Sequence, residues 1–255
     1  MSATLYWQVQ GEGEDVVLVH GWGMNGAVWQ QTAEALSQSF RVHIVDLPGY
    51  GNSAQLHAED LNEISNLVLE NAPEKAIWIG WSLGGLVATH IALNHPGRVK
   101  KLITVASSPK FAAEKPWKGI QPKVLSAFTQ QLVEDFQVTI ERFMALQAMG
   151  SPTARQDVKA LKKAVLSRPS PNPDSLLVGL GLLADVDFRT ELKNLTMPFY
   201  RLYGRLDGLV PVKVAEDVQE YTVDSEYFTF SSSSHAPFMT EHDEFCSKIN
   251  QIIGK

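Results

Sequence analysis

A single cysteine, Cys246, stands in a chain of 255 residues. That excludes an internal disulfide and a cysteine-built metal centre, and it fits a reducing compartment. Positive charge is also short: 22 Lys and Arg face 28 Asp and Glu, for a formal net charge of −6. Binding to a nucleic-acid backbone needs a basic face, so no nucleic-acid partner is expected. No apolar run reaches the roughly 18 residues that cross a bilayer, so no membrane span is expected. Met1-Ser2-Ala3-Thr4-Leu5-Tyr6-Trp7 has neither a basic n-region nor a long apolar h-region. A signal peptide is therefore not expected, and the expected location is cytoplasmic. The sequence is rich in core-forming residues, at 44% hydrophobic. This suits one large domain, or a core with an inserted subdomain.

Short β-branched runs alternate with helical patterns. Val16–Val19, Val42–Val45, Ala76–Ile79, Leu102–Val105 and Phe199–Tyr203 read as strands buried on both faces. Helical stretches lie near Val28–Ser39, Leu61–Asn71 and Leu83–Asn94. Repeated βα units imply an α/β fold, with a mostly parallel central sheet and helices on both faces. The rhythm stops after Ser107-Ser108-Pro109 and resumes at Met197-Pro198. Between them Leu125, Phe128, Leu132 and Phe136 mark one helix, and Ile140, Phe143, Met144 and Met149 a second. A third should start at Ser151-Pro152, good N-cap and N1 residues. An insertion this long exceeds one crossover, so residues 110–185 are expected to form a helical lid on a core of residues 1–109 and 186–255. Ser231 to Ser234 reads only as a loop.

The stretch Gly80-Trp81-Ser82-Leu83-Gly84 follows one strand and opens one helix. Strand, Gly-x-Ser-x-Gly, helix is the pattern of a nucleophile elbow. Glycines on either side let the turn tighten, and the serine hydroxyl then projects from the sheet. The N–H after it would lie at a helix N-terminus, where an oxyanion is stabilised.

A serine hydroxyl near neutral pH needs a base, and that base needs an orienting acid. His235 follows the last strand-like run, Tyr227–Phe230, and is the base candidate. His242 lies in a charged stretch, His90 and His95 flank the helix behind the elbow, His57 is in a polar loop and His43 is inside a strand. Asp207, in Gly204-Arg205-Leu206-Asp207-Gly208, follows the preceding strand and is the acid candidate; Asp185 and Asp187 are weaker ones. An Asp-Gly turn is the plainer reading of Asp207. His20-Gly21-Trp22-Gly23 follows an earlier strand, so the Trp22 and Leu83 N–H groups would form the oxyanion hole. His20 reads as a structural brace of that loop. No metal site is expected.

These motifs, with Asp46-Leu47-Pro48-Gly49-Tyr50-Gly51-Asn52-Ser53, resemble the α/β-hydrolase superfamily over the full chain. Residues 76–88, 105–109, 141–150, 153–157 and 202–211, with His235-Ala236-Pro237-Phe238, further resemble the esterases that demethylate pimeloyl-carrier-protein methyl esters in biotin synthesis. Lid residues are among them, which makes the likeness more specific than a triad. The resemblance implies an α/β-hydrolase fold with an inserted helical lid, and a serine carboxylesterase acting without cofactor. It implies a substrate site of Trp22, Ser82, Leu83, Phe143, Met144, Ala145, Leu146, Gln147 and His235. It implies acyl carrier protein as the partner, and the chain is expected to act as a monomer.

Charge on the lid agrees. From Val138 to Arg168 there are six positive and two negative residues, net +4, against −6 for the whole chain. A basic patch on an acidic protein suits an acidic partner, with salt-sensitive steering; a solvated helix face is the plainer reading. Arg142 and Arg155 match the lid arginines of the family. Lys159 stands where a relative has arginine, Val138 replaces another, and Lys162 lies nearby; Arg and Lys are not equivalent at such sites. The same triad could instead serve a broad short-chain carboxylesterase or a C–C bond hydrolase. A small-molecule receptor on a hydrolase fold could also retain it.

Overall fold

A computed structural model describes residues 4–222 and 224–254. The first three residues of the N-terminal stretch read above for a leader lie outside them. Seven strands form one sheet in the order β1-β3-β2-β4-β5-β6-β7. They are β1 (Trp7–Gln10), β2 (Glu14–Val19), β3 (Phe40–Val45), β4 (Ala76–Trp81), β5 (Val99–Val105), β6 (Phe199–Gly204) and β7 (Glu226–Phe230). Every neighbouring pair from β3 to β7 is parallel, and β1 runs antiparallel to β3 at the edge. The central strand β4 is buried along its whole length, as its unbroken apolar sequence requires.

The edge strand β1 was not foreseen. Trp-Gln-Val-Gln is short and mixed, and its identity comes from pairing: the Trp7 indole N–H donates to His43 Nδ1 at 2.9 Å. His43 Nε2 therefore carries the proton and donates to Asp15 at 2.8 Å.

Before the insertion the helices are α1 (Gln30–Leu36), α2 (Leu61–Asn71) and α3 (Leu83–Asn94). The first is shorter than its pattern predicted, because a 3-10 turn over Gly26–Trp29 precedes it. Asp60 caps α2 by accepting the Glu63 N–H, as an N-cap aspartate should. Helix α3 is apolar all round because it packs between the sheet and α2.

Between β5 and β6 the chain forms α4 (Pro122–Glu134), α5 (Phe136–Ala148), α6 (Ala154–Leu166) and α7 (Pro173–Asp185). The expected cap at Ser151-Pro152 is corrected: α6 begins at Ala154 after Thr153. Ser151 instead spends its hydroxyl on the Asp157 carboxylate, at 2.8 Å. The chain closes with α8 (Lys213–Val218), α9 (Pro237–Thr240) and α10 (His242–Ile253). Among the described residues no helix is long and apolar enough to cross a membrane.

Candidate active site

Ser82 sits between β4 and α3 with φ +54° and ψ −119°, a strained conformation for a residue with a Cβ. Two glycines make the turn possible. A Cβ on Gly80 would lie 2.2 Å from the Gly84 carbonyl oxygen, and one on Gly84 would lie 2.4 Å from that of Val19. Strand, turn and helix therefore touch backbone to backbone. The Ser82 N–H donates to Val105 O at 2.9 Å, which ties the turn to β5.

The three residues expected to react meet here from three separate loops. Ser82 Oγ is 2.8 Å from His235 Nε2, and His235 Nδ1 is 2.7 Å from Asp207 Oδ2. The other carboxylate oxygen of Asp207 accepts the Leu209 and Val210 N–H groups at 2.8 and 3.0 Å. An anionic Asp207 accepts at both oxygens, so Nδ1 carries the imidazole proton and Nε2 is free to take one from Ser82. His242, His90, His57 and His43 lie elsewhere.

The His20–Gly23 loop passes over the serine. A Cβ on Gly21 would meet Ser82 Cβ at 3.1 Å. Among the described residues the Trp22 and Leu83 N–H groups have no acceptor, which leaves both free to donate. His20 is a brace: its Nδ1–H donates to Gly21 O at 2.8 Å and its Nε2 accepts the Leu47 N–H at 3.0 Å. Burial pushes its pKa down to about 4, against the opposing charge of Asp46, so the ring is neutral. Asp46 is itself buried, accepting from the Gly26 and Asn52 N–H groups and pairing with Arg168.

Residues of α5 and α7 pack against this site. Ser82 is 2% exposed and His235 0%. Phe143 packs edge-on against Trp22, ring centroids 4.7 Å apart, and the Trp22 indole donates to Leu176 O at 2.8 Å. Phe143, Met144 and Gln147 are buried, and Leu146 is half-buried. Ala145 falls on the exposed side of α5 and is not brought to the serine. The Gln147 amide is buried with neither its N nor its O partnered among the described residues.

On the outer surface Arg142, Arg155, Lys159 and Lys163 are exposed, with no ion-pair partner among the described residues. Lys162 pairs with Glu141 and Arg168 with buried Asp46, so the patch is narrower than the charge count implied. Among the described residues no group of three or more His, Cys, Asp or Glu could hold a metal ion.

In the sequence Trp81 is simply the residue before the serine. Its indole N–H donates to the His235 carbonyl at 2.7 Å, tying base and nucleophile together through the core. Its place beside the serine was the only available signal.

The mostly parallel α/β sheet and the hydrogen-bonded Ser82, His235 and Asp207 are the arrangement found in hydrolases. The chain belongs to the α/β-hydrolase family, whose model, described as the alpha/beta hydrolase fold, matches residues 16–242. It is 71% identical over 254 residues to the pimeloyl-[acyl-carrier protein] methyl ester esterase of Vibrio campbellii, with 100% of both chains covered. It is 72% identical over 252 residues to the protein of that name from Vibrio parahaemolyticus, covering 99% of each. Among solved structures, an esterase of Exiguobacterium antarcticum superposes with a TM-score of 0.85 at 23% identity, covering 98% of this chain and 96% of that one. This last likeness speaks for the fold alone.

Proposed function

We propose that this chain is a serine carboxylesterase that hydrolyses the methyl ester of a pimeloyl-[acyl-carrier protein], releasing methanol and the free carboxylate. The observation that carries the reading is the hydrogen-bonded Ser82–His235–Asp207 relay, in a chain 71% identical throughout to an esterase of that name.

The steps follow from the geometry. His235 Nε2 takes the Ser82 proton as Oγ attacks the ester carbonyl, and Asp207 stabilises the imidazolium. The Trp22 and Leu83 N–H groups receive the oxyanion. Each such donor is worth about 10²–10³ in rate. Methanol leaves with the proton from His235. Water, deprotonated by the same nitrogen, then attacks the acyl-serine and frees the carboxylate. Phe143, Met144 and Leu146 offer apolar surface to the acyl chain, and the unpartnered Gln147 amide offers it one polar contact. The exposed cations Arg142, Arg155 and Lys159, with Lys162 at their edge, face an acidic carrier protein. The soluble, monomeric chain works in the cytoplasm, with residues 110–185 as its lid.

Ser82→Ala should reduce turnover of carrier-borne and small esters to background while leaving the fold intact by circular dichroism. Wild-type-like turnover in that variant would remove the assignment.

A further inference from the structure

The base is carried by a segment that the lid holds at both ends. Ser234 Oγ donates to Met149 O at 2.9 Å, just beyond α5. His235 N–H donates to Gln147 O at 3.0 Å, on α5 itself. At the far end, on α9, Thr240 Oγ1 donates to Asp157 Oδ2 on α6 at 3.0 Å. Asp157 is 7% exposed. It also accepts from Ser151 Oγ at 2.8 Å and from Thr153 Oγ1 at 3.0 Å. The hydroxyls of Ser151, Thr153 and Thr240 thus converge on one buried carboxylate, in the first turn of α6 where the helix dipole favours negative charge.

A buried carboxylate is costly unless its lone pairs are filled. Among the described residues Thr240 is its one hydroxyl partner from outside the insertion. The Thr240 hydroxyl has a single proton and one further acceptor in reach, Ala236 O at 3.4 Å. Losing the Asp157 contact would let it fall back on its own turn and leave α9 untied from α6. Because His235 lies just ahead of α9, and its carbonyl is fixed on the other side by Trp81, a shift of α9 moves the imidazole relative to Ser82.

We infer that Asp157 and Thr240 form a latch between lid and core that positions the base, so that His235 is aligned on Ser82 only while the α5–α6 edge is seated. Asp157 is a positioning residue: it touches no reacting atom and acts through Thr240 and the 235–240 segment. Serine at 240 preserves the latch and valine removes it at nearly constant volume. The inference rests on the esterase reading above.

The test uses a small soluble ester, so carrier docking plays no part, and follows wild type, Ser82→Ala, Thr240→Val, Thr240→Ser and Asp157→Asn. Turnover by wild type and none by Ser82→Ala establishes the reading first; failure there removes that reading. The latch then predicts that Thr240→Val and Asp157→Asn lower kcat about tenfold with KM within about twofold. Thr240→Ser should stay within about twofold of wild type. The downfield proton resonance of the His235–Asp207 hydrogen bond should shift or broaden in the two impaired variants only. If Thr240→Val keeps its kcat and that resonance while only Tm falls, the contact is structural and the latch is overturned. If Asp157→Asn fails to fold, Thr240→Val decides alone.

Discussion

The two sides of the active site are held by different physics. On the core side, backbone fixes geometry: glycines at 80 and 84 allow contacts that any Cβ would break, and Ser82 is strained into place. On the lid side, side chains do so: Phe143 against Trp22, an unpartnered Gln147 amide and a row of exposed cations. On the function proposed above, the first arrangement would serve any ester and the second would choose among them. A core perturbation should therefore damage all esters alike, and a lid-surface perturbation should sort them by what they are attached to.

The strongest challenge to that division is Asp207→Asn. It keeps the shape but reverses the tautomer preference of His235, and kcat/KM should fall by about 10³–10⁴ on every ester. A loss confined to the carrier-borne ester would break the comparison from the core side.

From the lid side, Arg142→Glu with Arg155→Glu should lower kcat/KM for a carrier-borne ester about tenfold or more at low salt, and leave a small soluble ester within about twofold. Equal loss on both would show that these arginines support the lid rather than the partner.

The smallest effect concerns the His20 brace. The folded chain holds this ring neutral, its pKa pushed down to about 4, whereas an unfolded histidine titrates near 6.5. Between those values the unfolded state binds more protons. Stability present above about pH 6.5 is therefore lost as pH falls toward 4. Wild type should lose Tm more steeply from pH 7 to 5 than His20→Gln, which starts lower but has no such ring to charge. Parallel curves would show that another group governs acid stability.

The core side was largely legible in the sequence, because local chemistry constrains it tightly. Gly-x-Ser-x-Gly between strand and helix admits few alternatives, and the chain order of Asp207 and His235 followed from the strands ahead of them. The helices between β5 and β6 were legible in outline from their period and the length of the break. Other features were not readable in the sequence. The start of α6 was misjudged, because Ser151 found a better partner in Asp157 than in the helix backbone. The role of Trp81 depends on a partner 154 positions away, which no local pattern reports. The charge count was also too generous, since Arg168 turns inward to Asp46.

The central claim is that core chemistry is general and the lid supplies the choice of ester. Its most direct test is kcat/KM for pimeloyl-carrier-protein methyl ester against a simple methyl ester, each at low and at raised ionic strength. The account predicts a higher value for the carrier-borne ester at low salt, an advantage that shrinks as salt rises, and no comparable salt effect on the simple ester. Equal values for the two esters, unmoved by salt, would contradict it.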